Sequence, residues 1–165
     1  MDRLDTTDAH ILHLLQTDGR LKRNQVAEAV GLSLPAASER MRKLEEKGVV
    51  TGYHAVLDPK RLHVDVAAFV RVSVDGSEHY AAFVAAATAL DEVQEVHSIT
   101  GEGSHLLKVR TRNTTTLERL LAAIQRLPGV RGTQTSIVLT TLKETRYLKV
   151  EPTALFEPEP NGVTP

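Results

Sequence analysis

Apolar residues in the first fifty positions recur at helical spacing. Ile11, Leu14 and Leu15 fall at i, i+3 and i+4 and form one stripe. The pattern predicts a first helix capped by Thr7 or Asp8 and running to about residue 18, where Asp18-Gly19 ends it. A second, short helix is predicted over about 23–30, with Val26 and Val30 one turn apart and Gly31 closing it. Ser33 is then a good N-cap, and Pro35 suits the first turn of a third helix that runs to Lys47 and stops at Gly48. Two short helices joined by Gly31-Leu32-Ser33 have the outline of a helix-turn-helix.

From Val49 the period changes. Residues 50–57 read as a strand ended by Asp58-Pro59, and Val64, Val66, Ala68, Val70, Val72 and Val74 alternate without a break. Helices are predicted over 77–90 and from a cap at Asn113 or Thr114 to about 127, and strands over 94–99, 105–112 and 133–142. One offset of 37 residues carries Val72 onto Val109, Val70 onto Leu107, Leu90 onto Leu127 and Val93 onto Val130. Strand-helix-strand thus maps onto strand-helix-strand. The expected fold class is α+β: an N-terminal helix-turn-helix domain and a C-terminal βαββαβ, ferredoxin-like domain with its helices on one face of the sheet. The expected boundaries are 1–50 for the helical domain, 51–63 for a linker with a strand, 64–149 for the sheet domain, and 150–165 for a loose tail rich in proline.

The alternation also divides the sheet into faces. If Val70, Val72, Leu107, Val109, Ile137 and Leu139 pack on the helices, then Ala67, Phe69, Leu106 and Val138 point the other way. A lone chain would leave that apolar group in water, and such patches mark association sites. The simplest remedy is a homodimer with sheet packed on sheet, supported by the strand near 50–57.

Charge matters locally rather than globally. Twenty basic and 21 acidic residues leave a net charge of −1, which excludes a globally basic nucleic-acid coat. Yet residues 20–43 hold six basic side chains against Glu28 and Glu39, a local charge of +4. At about 100° per residue, Leu34, Ala37, Met41 and Leu44 cluster on the buried side of the third helix. Ala36, Glu39 and Lys43 lie opposite, flanked by Pro35 and Arg42 on one side and Arg40 on the other. Small residues at the start and cations further along suit a recognition helix in the major groove of double-stranded DNA. The expected DNA-binding residues are Arg20, Lys22, Arg23, Ser33, Pro35, Ala36, Glu39, Arg40, Arg42 and Lys43. Arg20, Lys22, Arg40, Arg42 and Lys43 would meet phosphates or guanine edges, and Ser33 would anchor the helix start.

Other chemistries find little support. With no cysteine there is no disulfide, thiolate nucleophile or cysteine-ligated metal, and with no Trp, three Phe and three Tyr there is no stacking platform for single strands. His10 and His13 stand at i, i+3 without a third ligand, so no metal is expected. Gly101-Glu102-Gly103-Ser104-His105-Leu106 lacks the third glycine of a dinucleotide loop, no GxSxG elbow occurs, and no cofactor is expected. The acidic N-terminus has no signal-peptide core, and no apolar run approaches the ~20 residues of a membrane span. A cytoplasmic protein without membrane contact is the expectation.

Leu4-Asp5 and Asp8 ahead of Ile11-Leu12, followed by Leu15-Gln16-Thr17-Asp18-Gly19-Arg20, resemble the opening of the Lrp/AsnC (feast/famine) family of prokaryotic transcription regulators. So do Gly31-Leu32-Ser33, Arg40-Met41-Arg42-Lys43-Leu44-Glu45 and Gly48-Val49-Val50-Thr51-Gly52-Tyr53. In the second half Thr100-Gly101-Glu102, Leu106-Leu107-Lys108-Val109, Leu127-Pro128-Gly129-Val130 and Thr133-Gln134-Thr135 fit as well, so the likeness spans about residues 4–145. The resemblance implies a helix-turn-helix joined to a RAM-type effector domain, homodimers that assemble into tetramers or octamers, and control by a small molecule, commonly an amino acid. It places the effector where dimers meet, at Thr100, Gly101, Glu102, Gly103, Ser104 and His105 with Thr133 and Thr135. Bound effector would then shift how dimers associate and how DNA wraps. The family usually has Asp and then an aromatic residue where this chain has Ser104 and His105. That removes a partner for an effector's ammonium group, leaving Glu102 to substitute. Lys22 stands where the family usually caps the second helix with Ser; Lys accepts no hydrogen bond, which frees it for a phosphate. Two alternatives stand beside this. Some haem-pathway decarboxylases share the fold, but their Arg-Phe-Gly-like stretch is replaced here by Thr51-Gly52-Tyr53-His54-Ala55, so no enzyme is expected. The other is an architectural DNA-binding protein that needs no effector.

Overall fold

A computed structural model describes residues 3–152, which form two compact units. One is the chain up to Val56 together with the segment from Glu144; the other is Leu57–Lys143.

The first unit holds α1 (Thr6–Thr17), α2 (Arg23–Ala29) and α3 (Leu34–Glu46). The cap of α1 is Asp5 rather than Thr7 or Asp8. The Asp8 amide donates to Asp5 Oδ1 at 2.8 Å and the Asp5 amide donates back to Asp8 Oδ2 at 3.3 Å, a reciprocal box in which Asp8 is the second half. At α2 the Gln25 side-chain oxygen accepts from the Lys22 amide at 2.9 Å, which leaves the Lys22 ammonium exposed. Ser33 caps α3 as expected, its Oγ accepting from the Ala36 amide at 3.4 Å. Ile11, Leu12, Leu15, Val26, Met41 and Leu44 make the core, and Val49, Val50 and Val150 pack around it. Leu34, expected inside, is half-exposed. It is the first helical residue, and helical side chains lean toward the N-terminus, so this one leans past the end of its own helix.

The second unit is a four-stranded antiparallel sheet in the order β2-β3-β1-β4, from β1 (Val66–Val74), β2 (Val93–Ser98), β3 (His105–Thr111) and β4 (Val130–Ile137). α4 (Tyr80–Thr88), entered by a 3-10 turn at Ser77–His79, and α5 (Thr114–Ile124) supply its helices. The βαββαβ topology is the one read from the 37-residue offset. Ala68 pairs with Val109, Val70 with Leu107 and Val72 with His105, so these residues share the face that packs with Phe83, Ala87, Leu117, Leu120 and Ile124.

Five expectations need correction. No strand forms over 50–57, and the linker expected to carry one has none; Val56 is 99% exposed. A strand must find a partner for its backbone donors and acceptors, and no described strand reaches that segment. The last strand ends at Ile137 rather than 142, because its partner β1 begins at Val66 and the ladder closes with the Val138 amide on the Ala67 carbonyl. Leu139, expected on the helix face, lies past that end and is 94% exposed; Ile137 is half-exposed. Ala67 faces away from the helices yet is only 5% exposed, since its neighbours across the strands, Arg110 and Val138, are both longer than its methyl. Finally, the chain from Glu144 belongs with the helices although it was expected to extend the sheet domain to 149. Leu148 exchanges two hydrogen bonds with the Gln16 side chain, at 2.7 and 3.0 Å, and Tyr147 meets His13 at 2.7 Å. Of the expected tail only 150–152 lie among the described residues, and Val150 packs on the helical core.

Candidate functional site

The outward edge of α3 starts with Pro35 and Ala36, both exposed and neither able to obstruct a close approach by backbone-sized groups. Glu39, Arg42 and Lys43 follow on the same side. They are not independent charges. Arg42 donates to Glu39 at 2.6 and 2.9 Å and also pairs with Glu46, while Lys43 Nζ lies 3.7 Å from Glu39. The Arg42 guanidinium holds the Glu39 carboxyl below its usual value, so Glu39 stays ionised against any anion approaching this edge.

Arg40 does not join them. It lies about 60° from the buried side of the helix and turns back to the start of α1, where Nη1 donates to Asp5 at 2.7 Å and Asp8 at 2.8 Å. The carboxylates that cap α1 thus hold the arginine expected on DNA. By contrast Arg20, Lys22 and Arg23 are exposed, and their side chains have no ion-pair partner among the described residues. Tyr53, which the sequence reading did not single out for binding, donates to Glu45 at 3.0 Å; burial and that carboxylate push its pKa up to about 12.

In the second unit the turn before β3 is closed by the Ile99 amide on the Ser104 carbonyl at 3.0 Å. Gly103, at φ +78°, rests on β1: an added Cβ would stand 2.7 Å from Arg71 Cγ and 3.1 Å from the Val72 carbonyl. Ser104 faces the strand rather than solvent. Its amide donates to the Val72 carbonyl at 2.9 Å and its Oγ accepts from the Val74 amide at 3.0 Å. His105, placed at the effector site by resemblance, is instead a core residue. It alternates onto the face of Leu107 and Val109, is buried, and packs against Tyr80 at 4.9 Å and Phe83 at 4.7 Å. Burial lowers its pKa and keeps the ring neutral.

The cleft beside the turn, about 480 Å³, is lined by Arg71, Ser73, Glu102, Gly103, Gly132, Thr133 and Gln134. Glu102, Gly103 and Thr133 were expected there. Thr100, Gly101, Ser104 and His105 do not line it, and Thr135, opposite Val70, shares the helix-side face. Arg71 and Gln134 were missed, although their signal was in the alternation: they pair across β1 and β4 on the same face as Phe69. Of the expected dimer residues, Phe69 is 39% exposed, Leu106 and Val138 are partly buried, and Ala67 is covered.

No helix among the described residues is long and apolar enough to cross a membrane. The profile of a winged helix-turn-helix DNA-binding domain matches residues 4–51, and that of the Lrp/AsnC ligand binding domain matches residues 67–148. The HTH-type transcriptional regulator FL11 of Pyrococcus horikoshii is 36% identical over 148 residues, covering 90% of this chain and 97% of the relative. The leucine-responsive regulatory protein of Escherichia coli K12 is 34% identical over 151 residues, covering 90% and 92%. Among solved structures, a transcriptional regulator from Neisseria meningitidis in complex with L-Met superposes with a TM-score of 0.83 at 33% identity, over 88% of this chain and 96% of that one. A feast or famine regulatory protein from M. tuberculosis complexed with L-methionine gives 0.82 at 32%, over 88% and 99%.

Proposed function

The chain belongs to the Lrp/AsnC family and is a DNA-binding transcriptional regulator of that type, and from that premise we propose that the exposed edge of α3 reads its operator. The observation that carries this reading is the juxtaposition within one unit of a capped helix opening on Pro35 and Ala36 and three exposed cations, Arg20, Lys22 and Arg23, that have no ion-pair partner among the described residues. The small residues admit base edges, and the cations take phosphates and set the register. Arg42 and Lys43 reach DNA by exchanging Glu39 and Glu46 for phosphate, and Arg40 acts by holding α3 to α1.

The protein works as a homodimer, with the face of Phe69, Leu106 and Val138 against the same face of a second copy, and dimers assemble further into tetramers or octamers. Two copies of α3 then enter successive major grooves ~34 Å apart. A small molecule of the amino-acid class, the class bound in the two methionine complexes, occupies the cleft beside Gly103 and shifts how dimers associate. Its place of work is the cytoplasm, with the chromosome.

Titration of an operator duplex and a scrambled duplex at two salt concentrations tests the interface. Replacing Arg20, Lys22 and Arg23 by alanine should weaken both duplexes alike and flatten the plot of log K against log salt by about 3 per protomer. Ala36→Glu should remove the preference for the operator. An Ala36→Glu protein that still distinguishes the two duplexes overturns the reading.

A further inference from the structure

Arg71 is the residue of the effector cleft that its surroundings leave least satisfied. It stands in the middle of β1 on the face away from the helices, with Leu106 and Gln134 across from it and its stem under Gly103. Among the described residues its Nε is buried with no acceptor, and its Nη1 has only Glu102 Oε2 at 3.7 Å, too far for a hydrogen bond. That carboxylate is on a side chain 89% exposed, so the pair is held loosely. A buried guanidinium donor without an acceptor is a costly arrangement, and a planar fork of donors is the group best matched to a carboxylate.

The rest of the lining points the same way. Ser73, Thr133 and Gln134 offer hydroxyl and amide groups, and no apolar side chain lines the cleft among the described residues. Within this chain an apolar amino acid finds no apolar side chain in the lining to cover its own, whereas the polar groups of a hydrophilic ligand find hydroxyl, amide and charged partners. Ser104 and His105 leave Glu102 as the remaining anion at the turn, since the hydroxyl is spent on β1 and the ring is in the core.

We propose that this cleft takes a small polar carboxylate, of the class of aspartate, glutamate and their carboxamides. Arg71 is the anchor of the carboxylate. Glu102 is the counter-ion that the ligand displaces and that then meets the ligand's ammonium. The inference rests on the reading of this cleft as the effector site.

Calorimetric titration of the full-length protein with L-aspartate, L-asparagine, L-glutamate, L-glutamine, L-leucine and L-methionine tests it. At least one of the four polar ligands should bind at least tenfold more tightly than leucine or methionine. Arg71→Gln should weaken that ligand tenfold or more, and Arg71→Lys less. Ser73→Asp leaves Arg71 in place but adds an anion to the cleft, and should weaken it too, with the melting temperature of each variant confirming the fold. Glu102→Gln should weaken the amino acid several-fold but not succinate, which has no ammonium. Leucine or methionine binding as tightly as the polar ligands, or Arg71→Gln binding unchanged in a folded protein, overturns the inference while the effector cleft stands. No binding of any of the six to the wild-type protein overturns the effector reading itself.

Discussion

Arg40 and Arg42 are two positions apart on α3 and carry the same charge, but their neighbours give them different work. Arg40 bridges to two carboxylates on another helix, whereas the partners of Arg42 lie within its own helix and in water. Arg40→Ala should therefore lower stability by about 1 kcal/mol in denaturant unfolding, the upper range for a partly exposed ionic network, and a cycle with Asp5→Ala should recover most of it as coupling. Arg42→Ala should leave the unfolding midpoint where it is and act on DNA affinity alone. Asp5 contributes a pH dependence on the acid side. The Asp8 amide first, and Arg40 second, hold its carboxyl below the ordinary 3.8, so this stabilisation is complete above that value and is lost as pH falls through the lower folded one. His105 acts at milder acidity. Burial depresses its pKa below 6.5, so the unfolded chain takes up the proton first and stability declines as pH drops below 6.5. His105→Phe keeps an aromatic ring against Tyr80 and Phe83 and should flatten the melting temperature between pH 7 and 5. A variant with the wild-type slope would show that another group titrates there.

Elements form where local and distant chemistry agree, and that decides what could be read from the chain alone. The three N-terminal helices were legible because caps, apolar stripes and glycine stops all lie within a dozen residues of one another. The sheet topology was legible because Val70, Val72, Leu107 and Val109 alternate in two segments related by one offset. Residues 50–57 also read as a strand and made none, because a strand's partner is not written in its own residues. The end of β4 was hidden for the same reason, being set by where β1 begins. The candidate site divides similarly. The outward edge of α3 follows from helical angles, while the attachment of Arg40 to α1 and the inward turn of Ser104 and His105 depend on contacts between elements. Most distant of all is the return of 147–148 to α1, across more than 130 residues of chain. Gln16 presents its amide to both backbone groups of Leu148, so Gln16→Ala should release the segment and cost about 1 kcal/mol, with faster amide exchange at Leu148. Unaltered exchange at Leu148 would mean that Val150, packed on the helical core, holds the segment by itself.

At the scale of the whole molecule, a net charge of −1 gives no general attraction to DNA. Screening at physiological salt confines each cation to about 8 Å, so the contacts proposed for Arg20, Lys22 and Arg23 would form only where the protein already touches the duplex. One such contact per molecule is weak, and a second copy doubles the number of phosphates held. In the proposed dimer, pairing through the sheet face would therefore govern affinity for DNA. Phe69 is the large apolar side chain exposed on the sheet face away from the helices, with Leu106 and Val138 beside it only partly covered. Phe69→Glu puts a charge at the centre of that face without entering the core of Val70 and Val72 on its other side. It should leave monomer unfolding nearly unchanged, shift sedimentation to the mass of a single chain, and halve the salt slope of operator binding. Halving is the decisive quantity, because a mutation that merely damaged the fold would lower affinity without dividing the number of phosphate contacts by two. If the variant still sediments as a dimer, the pairing surface lies elsewhere, and Val56 and Leu57, both exposed in the linker, are the next positions to charge.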